Sequence, residues 1–488
     1  MNFKFNLYLL MLPVLMLSCN SRPGTSLSAG RQPEIYPDYS GITIPVNIAP
    51  MNFLIEEEGD RYIVEVHGED GSIISISSRN GIIRFPEKKW RNFLELNKNN
   101  HLEYQVSVKG KGEWKKFEPF MQTVTADKID PFLYYRLLHP GYESWTEISI
   151  VRRNLESFRE KTVVANNVLD QNCVNCHTFN KYNEDNFMFH VRGNNGGTYF
   201  LDGDNLEKVN LKTDHVPNGA VYPSWHPSGR FIAFSSNKVI QQFHAGGTKK
   251  IEVSDLESQL VLYDYERNEI MDVEQGTKGD FMDTYPEWTP CGNYLYFCRA
   301  IQPDENIDFS SIRYDLYRAA FSADTRTFSD PEPVFLASEN GKSVSFPKVS
   351  PDGKRLIFTM HDYGCFPVWH QEADLYSLEM GIAVAEKLPV NSEFTESYHS
   401  WSASGRWLIF SSKRGDGLSA RPYIAWFSES GVVGKPFVLP QKDPNFYKGY
   451  LKTYNLPEFA GSAVSFSPRQ LRNAAKSKSI LPQWIKSN

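Results

Sequence analysis

Along residues 33–125 the apolar positions come in short runs: 52–56, 62–67, 73–76, 82–85, 93–96, 104–108 and 117–124. Gly59-Asp60, Asp70-Gly71, Asn80-Gly81 and Gly110-Lys111-Gly112 separate them. Alternation puts every second side chain on one sheet face, and the glycine-containing turns reverse the chain. About seven strands in roughly ninety residues predict an immunoglobulin- or fibronectin-like sandwich. The pattern then changes. Residues 130–138 and 155–160 show helical spacing, broken by Pro140-Gly141, so 126–185 reads as a connecting segment.

From residue 186 to 470 the pattern repeats. Tyr222-Pro-Ser-Trp-His-Pro-Ser-Gly229 recurs as Tyr285-Pro-Glu-Trp-Thr-Pro-Cys-Gly292, Phe346-Pro-Lys-Val-Ser-Pro-Asp-Gly353 and Tyr398-His-Ser-Trp-Ser-Ala-Ser-Gly405. The glycines are 63, 61 and 52 residues apart, and each is followed five residues later by Phe234, Phe297, Phe358 or Phe410. Each unit is a strand, a glycine turn and an alternating return strand. One such sheet cannot bury both faces alone, so the units must stack around an axis. Val464-Ser-Phe-Ser-Pro-Arg-Gln470 is a degenerate fifth copy, predicted to close the ring by pairing with the strands after Phe187, and 471–488 reads as a tail. The count is five blades, or six. His226 and His399, beside the repeat tryptophans, read as packing variants.

The first nineteen residues follow neither pattern. Lys4 precedes an apolar run over 7–17 and then Leu17-Ser18-Cys19. The run is short for a membrane span and ends at a processing site, which predicts a signal peptide. The site resembles a bacterial lipobox, which implies acylation of Cys19, a tether over residues 20–32 and attachment to the cell envelope. The absence of an acidic cluster after Cys19 favours the periplasmic face of the outer membrane. Without Lys4 the chain carries 51 basic and 58 acidic residues, net −7, which argues against nucleic acid as a partner.

Cys173-Val-Asn-Cys176-His177 carries the chemistry that the pattern does not. This spacing suits covalent attachment of one haem c: two thiols for the two vinyl groups and an adjoining imidazole for the iron. His190 is the expected sixth ligand, with Met188 or His139 as alternatives. Tyr134, Tyr135, Tyr142 and Trp145, with Arg136, Arg152 and Arg153, are candidates to wall the haem or pair its propionates, or else to form a domain interface. The alternative for Cys173 and Cys176 is a disulfide. Cys291 and Cys298 lie too far apart along one strand to bridge, which leaves Cys298–Cys365 open.

The repeats resemble the PD40 units of TolB-like β-propellers, with Val349 in place of tryptophan and Ala403 in place of proline. The whole arrangement, including Phe189-His-Val-Arg-Gly193, resembles exported TolB-like, cytochrome c-related lipoproteins of Bacteroidetes-type bacteria. That resemblance implies a mostly β chain: an N-terminal sandwich, then a five- or six-bladed propeller. The expected function is electron transfer, or redox or ligand sensing, at a monohaem site with a redox partner. The alternative is a binding propeller for envelope proteins or glycans. No Gly-x-Ser-x-Gly or His-Glu-x-x-His motif occurs, so no hydrolytic chemistry is expected.

Overall fold

A computed structural model describes residues 26–486, except 111, 142–146, 181–182, 248, 274–278, 305–307 and 465. Cys19, the apolar leader, Tyr142 and Trp145 therefore lie outside the described residues. The chain is mostly β, as the alternation requires. Its N-terminal part has a seven-stranded and a three-stranded sheet. They share one core, in which Phe53 packs edge-on against Tyr104 and Phe120. Residues 93–96 are not a strand. They end helix α1 (Glu87–Leu96), whose Trp90, Phe93 and Leu94 recur at the three- and four-residue spacing of a buried helical face. Residues 26–28, expected in the tether, pair in parallel with Trp114–Lys116.

The propeller has six blades of antiparallel sheet and is longer than the repeats suggest. Its inner strands are Cys173–Asn180, Val221–Trp225, Phe281–Trp288, Ser343–Val349, Glu396–Trp401 and Thr453–Ala460. Each touches the next in that order, and the last touches the first, so the ring is closed. Blade 1 is composite: Thr453–Ala460 pairs with Phe132–Leu138, followed outward by Ser149–Asn154 and Glu160–Ala165. The expected connector over 126–185 therefore holds the three outer strands of blade 1 and the inner strand of blade 2. The helical spacing of 130–138 misled because Phe132–Leu138 is buried on both faces, and a short apolar run of that kind suits helix or inner strand equally.

Ring closure also differs from expectation. The closing strand is Thr453–Ala460, not residues 464–470, and it pairs with Phe132–Leu138 rather than with the strands after Phe187. Phe466 stacks on Phe189, 6.2 Å between centroids, so it packs there without pairing. The C-terminal residues are not a free tail. Helix α2 (Pro468–Lys476), opened by a Ser467–Gln470 capping box, buries Leu471, Ala474 and Ala475. Gln483–Trp484 then adds a parallel edge to blade 3. The core of the N-terminal sheets continues into blade 6 through Trp407, Ile409 and Ile424, which fixes the two parts together.

Candidate functional site

Each inner strand is bulged at a corresponding place, and Cys173–Asn180 shifts register a second time between Phe179 and Asn180. The paired register breaks between Val174 and His177, Val221 and Ser224, Thr284 and Glu287, Ser345 and Lys348, Ser397 and Ser400, and Asn455 and Glu458. A bulge inserts one residue and re-aims its side chains. The first bulge residue is left-handed in five blades: Tyr222, Tyr285, Phe346, Tyr398 and Leu456 have φ of 48–54°. Such a conformation costs a bulky residue about 1–2 kcal/mol, so the packing must hold it there. It turns the rings onto the axis, where Tyr222–Tyr285, Tyr285–Phe346 and Phe346–Tyr398 lie 4.5, 4.0 and 4.9 Å apart. These side chains plug the channel and divide it into two cavities, of about 440 and about 80 Å³.

The residue after each bulge faces the larger cavity. Going round the ring these are His177, Ser224, Glu287, Lys348, Ser400 and Glu458, all polar. Lys348 donates to Glu287 Oε2 at 2.8 Å, and the Ser224 hydroxyl donates to the same oxygen at 3.3 Å. That pair is neutral as a unit. Among the described residues Glu458 has no such ion pair. Its Oε1 accepts from Thr178 Oγ1 at 3.0 Å and from the Phe179 N–H at 3.2 Å. Burial raises its pKa to about 7, against the pull of those donors and of Lys348. Trp225, Trp288 and Trp401, each paired to the residue seven positions on, form the outer wall.

The sequence-predicted haem residues fall at separate places on blade 2. Cys176 and His177 line the larger cavity, whereas Cys173 lines neither cavity and packs at the fringe of the blade 1–blade 2 core. Both cysteines are free thiols. His177 is buried, and neither ring nitrogen has a partner of good geometry. Burial and Arg136 lower its pKa to about 3, opposed by the main chain of Tyr134. His177 pairs with Phe189, so His190, one residue on, points to the opposite sheet face. His190 lies beside Thr198 Oγ1 at 3.3 Å, Met188 packs in the core between blades 2 and 3, and His139 pairs with Glu147 at 3.3 Å. None shares a face with His177 in the manner a sixth ligand requires. The arginines are also committed: Arg153 to Glu160 and the Pro440 carbonyl, Arg152 to the Val464 carbonyl, Arg136 to Asn175. Tyr134 and Tyr135 are buried on either side of blade 1. In this register Cys176 and His177 share the larger cavity and Cys173 does not reach it.

Cys298 and Cys365 are buried free thiols, so that bridge is not formed. His226 donates through Nε2 to the Gly292 carbonyl and His399 to the Ile357 carbonyl, at 3.1 and 3.0 Å, as packing residues. Among the described residues no three His, Cys, Asp or Glu side chains form a metal cluster. Glu287, Lys348 and Glu458 went unmarked in the sequence. The available signal was Leu456-Pro-Glu-Phe459, a further copy of the repeat's inner strand with leucine in the leading aromatic place.

No protein-family model matches the chain, and no curated protein matches it. Among solved structures it is similar to TolB from Acinetobacter baumannii, with 13% identity and a TM-score of 0.43, over 74% of this chain and 79% of that one. A chain of the nidogen/laminin complex gives 9% identity and a TM-score of 0.38, over 63% and 99%. Dipeptidyl peptidase 4 of Porphyromonas gingivalis gives 12% and 0.31, over 61% of this chain and 49% of that one.

Proposed function

We propose that this chain is a binding propeller of the cell envelope, anchored through an acylated Cys19, whose ligand enters the larger cavity with an organic ammonium group. The observation that carries this reading is the unpaired Glu458 above a floor of aromatic rings. Aromatic faces attract cations, and a carboxyl without a counter-ion gains one when a cation arrives. Of the expected partner classes, an envelope protein presenting a lysine supplies that group and a neutral glycan does not. The test is tryptophan fluorescence, since Trp225, Trp288 and Trp401 line the cavity. A capped Ala-Lys-Ala peptide should change the emission saturably, more strongly as pH rises through about 7, where Glu458 ionises. The norleucine counterpart should not bind. Equal binding of both peptides, or of neither at millimolar concentration, rejects the reading.

A second reading keeps haem c on Cys173, Cys176 and His177, with electron transfer to a redox partner. What favours it is the buried imidazole of His177 with both nitrogens unsatisfied, beside Cys176 on the cavity wall. A haem held there would supply one-electron chemistry. The reading requires Cys173–Asn180 to leave its present register so that Cys173 reaches the cavity. Protein made in a host that matures c-type cytochromes then gains the mass of one haem and a pyridine haemochrome spectrum. A chain of apo mass rejects it.

A further inference from the structure

The smaller cavity, beyond the aromatic plug, has the opposite electrostatic character. Arg136, Arg192 and Lys413 line it, and no Asp or Glu does among the described residues. Lys413 is 4% exposed, and its Nζ lies 3.6 Å from the centroid of the Trp369 ring. Two acids of the same blade region are engaged elsewhere: Glu396 with Arg414 at 3.0 Å, and Asp416 with the Leu418 and Ser419 amides and Arg421. Arg136 is buried and held by Asn175, so its guanidinium is fixed in place. Arg192 ends the second strand of blade 2 and is exposed.

A buried ammonium without a counter-charge is costly, and three convergent cations in a narrow cleft focus a field that draws anions. Arginine forks match the two oxygens of a carboxylate or phosphate, and lysine adds a point charge. We propose that the smaller cavity is a binding site for a compact oxyanion, a phosphate or carboxylate group, held between Arg136, Arg192 and Lys413. Its size of about 80 Å³ admits such a group and excludes a bulky ligand. Burial lowers the Lys413 pKa to about 7, against Asp416, so a bound anion would restore its charge. Its three cations line only the smaller cavity and are distinct from Glu458 of the larger one.

The experiment is calorimetric titration of the full chain in chloride buffer at constant ionic strength, with inorganic phosphate in one arm and acetate in the other. At least one probe should saturate a single site, and the tighter one names the chemistry. Arg192→Gln, at an exposed position, and Lys413→Met, which removes a buried charge, should each weaken that binding at least tenfold, with melting curves showing both variants folded. Saturation by neither probe, or unchanged affinity in both variants, overturns the proposal.

Discussion

Glu458→Gln separates the electrostatics of the larger cavity from its packing. The amide keeps the acceptor for Thr178 Oγ1 and the Phe179 N–H, so the hydrogen bonds survive the change. Only the titration is removed. Glu458 rises from its ordinary 4.5 to about 7 in the folded chain. A carboxyl whose folded value lies above its unfolded value is neutral in both states at low pH. Between 4.5 and 7 the unfolded state ionises and the folded state resists, so stability is lost as pH rises, and the loss is complete above about 7. The rise is worth about 3 kcal/mol. For a chain of this length the unfolding entropy is about 1 kcal/mol per degree, so Glu458→Gln should raise the melting temperature by about 3 °C at pH 8 and by about nothing at pH 4.5. Differential scanning calorimetry at the two pH values measures both. An equal shift at each pH, or a lower melting temperature at pH 8, would refute the assignment of a half-buried carboxyl that ionises only near pH 7 in the folded chain.

Repeat glycines that look alike in sequence should differ in tolerance. Gly292 has φ +76° and an added Cβ would lie 2.3 Å from Nε2 of buried His226, whereas at Gly353, φ +70°, the nearest atom is 4.0 Å away. Gly292→Ala should lose roughly 2–4 kcal/mol and Gly353→Ala about 1 kcal/mol in urea denaturation, and equal losses would contradict the packing. Ring closure predicts that a chain ending at residue 452, which lacks the inner strand of blade 1, loses cooperative melting by circular dichroism. A chain ending at 478 keeps that strand and α2 and should retain cooperative melting. Native melting of the shorter chain would exclude closure by Thr453–Ala460.

Four blades were legible because their inner strand is followed by a glycine turn and a return strand, a pattern that recurs within one stretch of sequence. Blade 1 hides because the ring is closed out of order. Its inner strand is the last of the propeller, so nothing follows Leu456-Pro-Glu-Phe459 to announce a return. Blade 2 hides for another reason. Its bulge carries Asn175-Cys176 where the others carry a large apolar or aromatic residue and usually proline. The eye stops at the cysteines. In the sandwich, reading 93–96 as a strand ignored Trp90, whose spacing to Phe93 and Leu94 is helical.

The same contrast explains why the site itself was unreadable. A repeat consensus is set by what every blade must do: turn a ring onto the axis, pack a tryptophan against the next blade, reverse the chain. The residue after the bulge is free of those duties, so it varies as His177, Ser224, Glu287, Lys348, Ser400 and Glu458. Aligning repeats discards that position as noise, yet closure of the ring gathers the six discarded side chains around one cavity. Cys173-Val-Asn-Cys176-His177, read as one chemical unit, is divided by the bulge among a core fringe, the channel wall and this ring. Function in this chain therefore follows from where each blade departs from its neighbours. The departure with the greatest electrostatic consequence is Glu458, because Lys348 is already held by Glu287 and leaves that carboxyl to be completed by a ligand.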